Sequence, residues 1–153
     1  MGTNINFNKT LGIAKGASIV LPTETAGPEM IFTITTPSDA YTFNVRSLTG
    51  ASNYDIDWGD GSAIETGVTD TTKPHTYATA GLYEIKITGS IYLRNTGLAD
   101  AQRYTEFKQW GTATTITGIR ETFYNCSNMT YTATDAPNFN FTVSAAYRGP
   151  YRL

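Results

Sequence analysis

The feature that most constrains this chain is a period of two. In Tyr54-Asp55-Ile56-Asp57-Trp58 a large side chain falls on every second residue, with a carboxylate between each pair. Successive side chains of an extended chain point to opposite faces, so Tyr54, Ile56 and Trp58 share one face of a strand and the two Asp share the other. Gly59-Asp60-Gly61-Ser62 follows: two residues that accept positive φ, around an Asp that can bond its own backbone two residues on, predict a turn. The period returns behind Gly81, where Tyr83, Ile85 and Ile87 alternate with Glu84 and Lys86. Strands with one apolar face need a second sheet over that face, so the pattern predicts an antiparallel β-sandwich.

The same reading places further strands. Met30, Phe32 and Ile34 give an inner face over 30–36, and Tyr41, Phe43 and Val45 give one to the next strand. Ser18 to Leu21 reads as a short apolar strand and Phe139 to Val143 as another, with Tyr131 to Thr134 between. Gly89 inside a strand pattern predicts a bulge or bend that lets one strand run on into another. Over 104–109, Tyr104, Glu106 and Lys108 are set against Thr105, Phe107 and Gln109. Asn95 to Asp100 reads as a loop, and Glu121 to Cys126 as the only helical turn.

Composition bounds what such a fold is for. At 153 residues the chain is one domain, or one domain with appendages, and 40% hydrophobic residues suffice for a core. A net charge of −2 and the lack of any basic cluster leave no electrostatic footprint for nucleic acid. No stretch reaches the roughly 20 apolar residues of a membrane helix, so no membrane partner is expected. One Cys excludes an intrachain disulfide framework. The first 22 residues lack the apolar run of a secretory leader, so the expectation is a chain made in a cytoplasm and kept there, or exported without a leader.

Few residues invite a chemical role. His75 is the only histidine, and the spacing offers it no nucleophile, so a structural hydrogen bond to Asp60 or the turn backbone is expected. Asp55, Asp57 and Asp60 form an acidic group, but a calcium site draws roughly six to eight oxygen donors from a contiguous loop, and this sequence has none. Cys126 lies in an apolar pattern and reads as a buried small hydrophobe. No catalytic residue, metal or cofactor is therefore expected, and no enzyme activity.

At the motifs a resemblance becomes specific. WGDGS at 58–62, HTY at 75–77 and GLYEIKI at 81–87 resemble a polycystic-kidney-disease (PKD)-type domain, an Ig-like sandwich of extracellular and virion proteins. Residues 108–139 resemble the opening repeat of BspA-like leucine-rich surface proteins, with Phe123, Cys126, Asn128 and Met129 in the place of the repeat core. The resemblance implies an all-β chain: an extended N-terminal arm with a first short strand over 1–29, a PKD-like sandwich over 30–95, and a small single-repeat appendage with its tail over 96–153. The implied sandwich core is Tyr54, Ile56, Trp58, Tyr83, Ile85 and Ile87; the turn is Gly59, Asp60, Gly61 and His75; the repeat core is Trp110, Phe123, Cys126 and Met129. A solenoid unit cannot bury its apolar face alone, so that core needs cover from the chain's own sandwich or from a neighbour.

The resemblance implies a non-enzymatic structural protein of a tailed-bacteriophage virion, decorating or cementing the capsid or lying on the tail. Its partners would be the major capsid or tail protein and copies of itself. Two alternatives stay open: a fragment of a BspA-like adhesin at a bacterial cell surface, and a carbohydrate-binding module, against which most aromatics are expected to point inward.

Overall fold

The computed structural model describes residues 26–48, 52–94 and 98–140, so the expected N-terminal arm before residue 26, its strand at Ser18 to Leu21, and the tail after residue 140 lie outside the described residues. The fold is all-β. In chain order the elements are β1 (Met30–Thr36), β2 (Tyr41–Arg46), β3 (Asn53–Asp57), β4 (Glu65–Val68), β5 (Thr72–Tyr77), β6 (Gly81–Arg94), α1 (Leu98–Ala101), β7 (Tyr104–Gln109), β8 (Thr114–Arg120), β9 (Thr130–Tyr131) and β10 (Asn138–Phe139).

β6 organises the molecule. Its first half pairs antiparallel with β1, from Thr36↔Gly81 to Met30↔Ile87, and β3 pairs antiparallel across Lys86 to Ser90. With β4 outside β3 and β7 outside β1, these strands form one layer, and β2 and β5 pair antiparallel as the second sheet. The inner faces follow the period of two: Met30, Phe32, Ile34, Phe43, Val45, Tyr54, Ile56, Trp58, Tyr77, Ile85 and Ile87 are buried. Rings lock the two sheets together, with Phe43 edge-on to Tyr104 at 5.5 Å and Tyr77 stacked on Tyr83 at 4.1 Å.

At Gly89 the strand changes partners. Its φ is +96°, and a Cβ there would lie 2.7 Å from the Asn53 carbonyl oxygen, so glycine alone fits the bend. Beyond it β6 leaves β1 and pairs in parallel with β8, and β8 in turn pairs in parallel with β10. Buried Thr114 bridges the gap. Its Oγ1 donates to the Ile87 carbonyl at 2.8 Å and accepts from the Met30 N–H at 3.2 Å.

The parallel pairs make stacked coils. Ile91, Ile116 and Phe139 lie in one column at steps of 25 and 23 residues, and Phe107 and Tyr131 lie in another at a step of 24. One coil runs from the second half of β6 through α1 to β7; the next runs from β8 through the turns at 121–129 to β9. The resemblance placed a single repeat over 108–139; the coil formed by β8 and β9 within those residues stacks on an earlier one, formed by the second half of β6 and by β7. β7 lies beyond the boundary drawn at residue 95, yet it hydrogen-bonds to β1, and one continuous core includes Ile91, Leu93, Phe107, Trp110 and Ile116 with the sandwich residues.

Two local expectations are corrected. The helix is α1, in the stretch read as a loop, while Glu121 to Cys126 is a run of turns closed by Tyr124 N–H to Glu121 O and Cys126 N–H to Phe123 O, each 3.2 Å. α1 is held from outside itself: buried Asp100 accepts from Asn44 Nδ2 at 3.3 Å and pairs with Arg46 at 3.5 Å, both on β2. In β7 the expected alternation fails, because the register against β1 shifts twice and leaves Thr105 and Lys108 with no residue directly opposite them on β1. Tyr104 and Phe107, three apart, are thereby both buried.

Candidate functional site

The WGDGS turn and HTY bring together a carboxylate, a hydroxyl and an imidazole, the residue types of chemistry. β3 delivers Trp58 to the interior, where it is fully buried. Its Nε1 donates to Glu65 Oε1 at 2.7 Å, and its carbonyl accepts from Tyr77 Oη at 3.0 Å. Gly59, with φ +75°, then turns the chain so closely over β6 that a Cβ would run into the Glu84 carbonyl. Gly61, also at positive φ, completes the turn. The carboxylate of Asp60 accepts from Ser62 N–H at 3.0 Å, from Ser62 Oγ at 2.6 Å and, through Oδ2, meets His75 Nε2 at 2.8 Å. His75 arrives from β5, stacked on Trp58 and edge-on to Tyr77.

Electrostatics follow this geometry. Burial alone would raise the Asp60 carboxyl, but the hydrogen bonds from Ser62 and His75 outweigh it and hold the group down at about 2. Glu65 behaves alike: burial raises it, yet Lys73 and Trp58 together bring it below its ordinary value. Burial pushes the hydroxyls of Tyr54, Tyr77 and Tyr104 up. In this cluster the carboxylate lies between hydroxyl and imidazole, and Ser62 Oγ donates to Asp60. A nucleophile activated by histidine needs the imidazole in the middle, so the cluster works as a lock on a turn.

The other acidic residues serve the backbone in the same way. Asp57 Oδ1 accepts from Gly59 N–H and Asp55 Oδ1 from Gly67 N–H, both at 2.9 Å. With Glu29, Ile64, Lys86 and Thr88 they line an open cleft of about 180 Å³ on the outer face of the sheet. Lys86 already places a cation there, and among the described residues no group of three or more His, Cys, Asp or Glu side chains is arranged to hold a metal ion.

The expected repeat core gathers at the junction of coil and sandwich. Trp110 is buried, with Phe107 at 4.5 Å and Phe123 at 6.1 Å, and its Nε1 donates to Tyr131 Oη at 2.7 Å. Phe123, Cys126 and Met129 are partly buried and pack on the common core. Tyr54, Ile56, Ile85 and Ile87 are buried in the sandwich, and Tyr83 is half-buried at its end. Asp135, missed in the sequence, holds the junction: its carboxylate accepts from Trp110 N–H at 3.0 Å and from Gly111 N–H at 2.8 Å. The available signal was its isolation, as the one Asp, Glu, Lys or Arg in residues 122–140. Comparison of the chain with protein-family models, with curated proteins and with solved structures gave no match.

Proposed function

We propose that the chain is a non-enzymatic structural protein of a tailed-bacteriophage virion, a PKD-like, Ig-like sandwich that carries leucine-rich-like coils and acts through contacts with capsid or tail proteins. One observation carries this reading. The residues with chemical potential, Asp60, Ser62 and His75, are consumed in locking a turn, while large apolar side chains stand exposed on both parts of the molecule, Ile64 and Leu82 on the sandwich and Ile119, Tyr124, Tyr131 and Phe139 on the coils. Contact surfaces draw on aromatic residues, and a rigid β scaffold presents them at little entropic cost. The test is mass spectrometry of purified virions. Stoichiometric presence of the polypeptide is expected, and its absence contradicts the reading.

The coil stacking supports a second reading, a BspA-like adhesin at a bacterial surface, because in-register parallel strands 23 to 25 residues apart are what a leucine-rich repeat array would have. Antibody labelling of intact cells that carry the gene separates the two. Surface labelling without virion incorporation favours the adhesin.

A further inference from the structure

Asp60-Gly61 is the one place in the chain where an Asp or Asn precedes a Gly. Such a pair carries a reaction of its own. The glycine amide nitrogen bonds to the aspartyl Cγ, and the bond from Cγ to one carboxyl oxygen breaks. That oxygen leaves as water, with the carboxyl proton and the amide proton. The succinimide so formed takes up water and opens either to Asp or to isoaspartate, whose backbone runs through the side-chain carbonyl. Glycine favours ring closure because it has no Cβ to obstruct it.

In this turn the two halves of the reaction are treated differently. The amide side is open: Gly61 is exposed, and nothing lies within 4 Å of where a Cβ on it would stand. The carboxyl side is held. One oxygen of Asp60, Oδ1, accepts from Ser62 N–H at 3.0 Å and from Ser62 Oγ at 2.6 Å, and the other, Oδ2, meets His75 Nε2 at 2.8 Å. His75 is itself fixed, by its stack on buried Trp58 at 4.6 Å. Only a neutral carboxyl loses an oxygen as water. Burial alone would favour that form, but the bonds from Ser62 and His75 keep the group ionised down to about 2.

We propose that Asp60-Gly61 is a latent isoaspartate site, kept unreacted by the hydrogen bonds of Ser62 and His75. Isomerisation adds a methylene to the backbone and moves the carboxylate, so the lock does not close again after the reaction. The inference rests on the turn's geometry and is independent of the virion reading. The test is to age the full chain in neutral buffer, with and without urea, and to measure isoaspartate at residue 60 by peptide mapping with electron-transfer fragmentation. The folded wild type is expected to react more slowly than the chain in urea by roughly tenfold or more, since each pKa unit by which a carboxyl is held down removes about tenfold of its neutral form. Folded His75→Gln and Ser62→Ala are each expected to exceed the folded wild type by roughly threefold or more on the same ground. Circular dichroism checks that both variants are folded, and Ser62→Ala, on the exposed turn, decides the matter if His75→Gln does not fold. A wild type that reacts as fast folded as in urea overturns the proposal. Folded variants that react no faster than the wild type overturn it as well, and assign the protection to the backbone of the turn.

Discussion

His75 lies flat on Trp58, ring centroids 4.6 Å apart and planes 9° from parallel, while its Nε2 meets the Asp60 carboxylate at 2.8 Å. The stack ties β5 to the end of β3 across the two sheets, and Asp60 fixes the imidazole in that plane. Its carboxyl sits at about 2 in the fold against an ordinary 3.8, so folding favours the ionised form. That contribution is complete above pH 3.8 and is lost as pH falls through about 2. Asp60→Asn lacks it. The mutant is expected to be less stable than wild type by about 1 kcal/mol at neutral pH, a figure lowered for solvent screening. The gap in melting temperature should close between pH 3.8 and about 2. A gap that stays constant through that window contradicts the assignment.

Trp58 is fully buried among the sandwich residues, so Trp58→Ala is expected to cost about 3–5 kcal/mol in a urea titration. Trp58→Phe retains most of the packing but abandons the bond to Glu65, and should cost clearly less. Equal midpoints for Trp58→Ala and wild type would remove Trp58 from the core.

Two buried tyrosines make a matched pair. Tyr77 Oη donates to the Trp58 carbonyl at 3.0 Å, whereas Tyr54 Oη is buried and has no hydrogen-bond partner among the described residues. Removing a satisfied hydroxyl costs about 1 kcal/mol, while removing an unsatisfied one is neutral or stabilising. Tyr77→Phe should therefore lower the urea midpoint and Tyr54→Phe should hold or raise it.

Gly89 is the hinge at which one strand serves two partners. Gly89→Ala meets both an unfavourable φ of +96° and the Asn53 carbonyl, and is expected to cost about 2 kcal/mol or more by thermal melting. A neutral outcome would mean that β6 does not bend there.

Asp135 satisfies two backbone amides at the start of the coil. Asp135→Ala leaves both unpaired and should cost about 1–3 kcal/mol, with faster amide exchange at Trp110 and Gly111 as the local sign. Exchange unchanged at those two amides would contradict the anchor.

What could be read from the sequence was what depends on neighbours along the chain. One-faced strands announce themselves through alternation, as at 54–58 and 83–87, and the glycine-flanked Asp60 announces its turn. β7 was misread because the irregularity at Thr105 puts Tyr104 and Phe107 on one face, and a bulge leaves no mark in a period of two. α1 is too short to nucleate alone and exists because Asn44 and Arg46, on β2 and 56 and 54 residues earlier, hold Asp100. The parallel columns were hidden for a related reason. Ile91, Ile116 and Phe139, or Phe107 and Tyr131, lie about one coil apart and need only be apolar, so no residue-by-residue repetition marks them. The lock at His75 was legible as a motif, but Asp135 and Thr114 act through long-range backbone contacts that no local pattern encodes.

β6 passes from an antiparallel sheet into a parallel stack of coils. Nuclear Overhauser contacts between backbone protons measure this directly. The expected result is a parallel pattern linking Gly89–Arg94 to Thr114–Arg120, together with contacts from Phe107 to Tyr131. An antiparallel pattern across those strands, or no cross-strand contacts beyond Gly89, would contradict it.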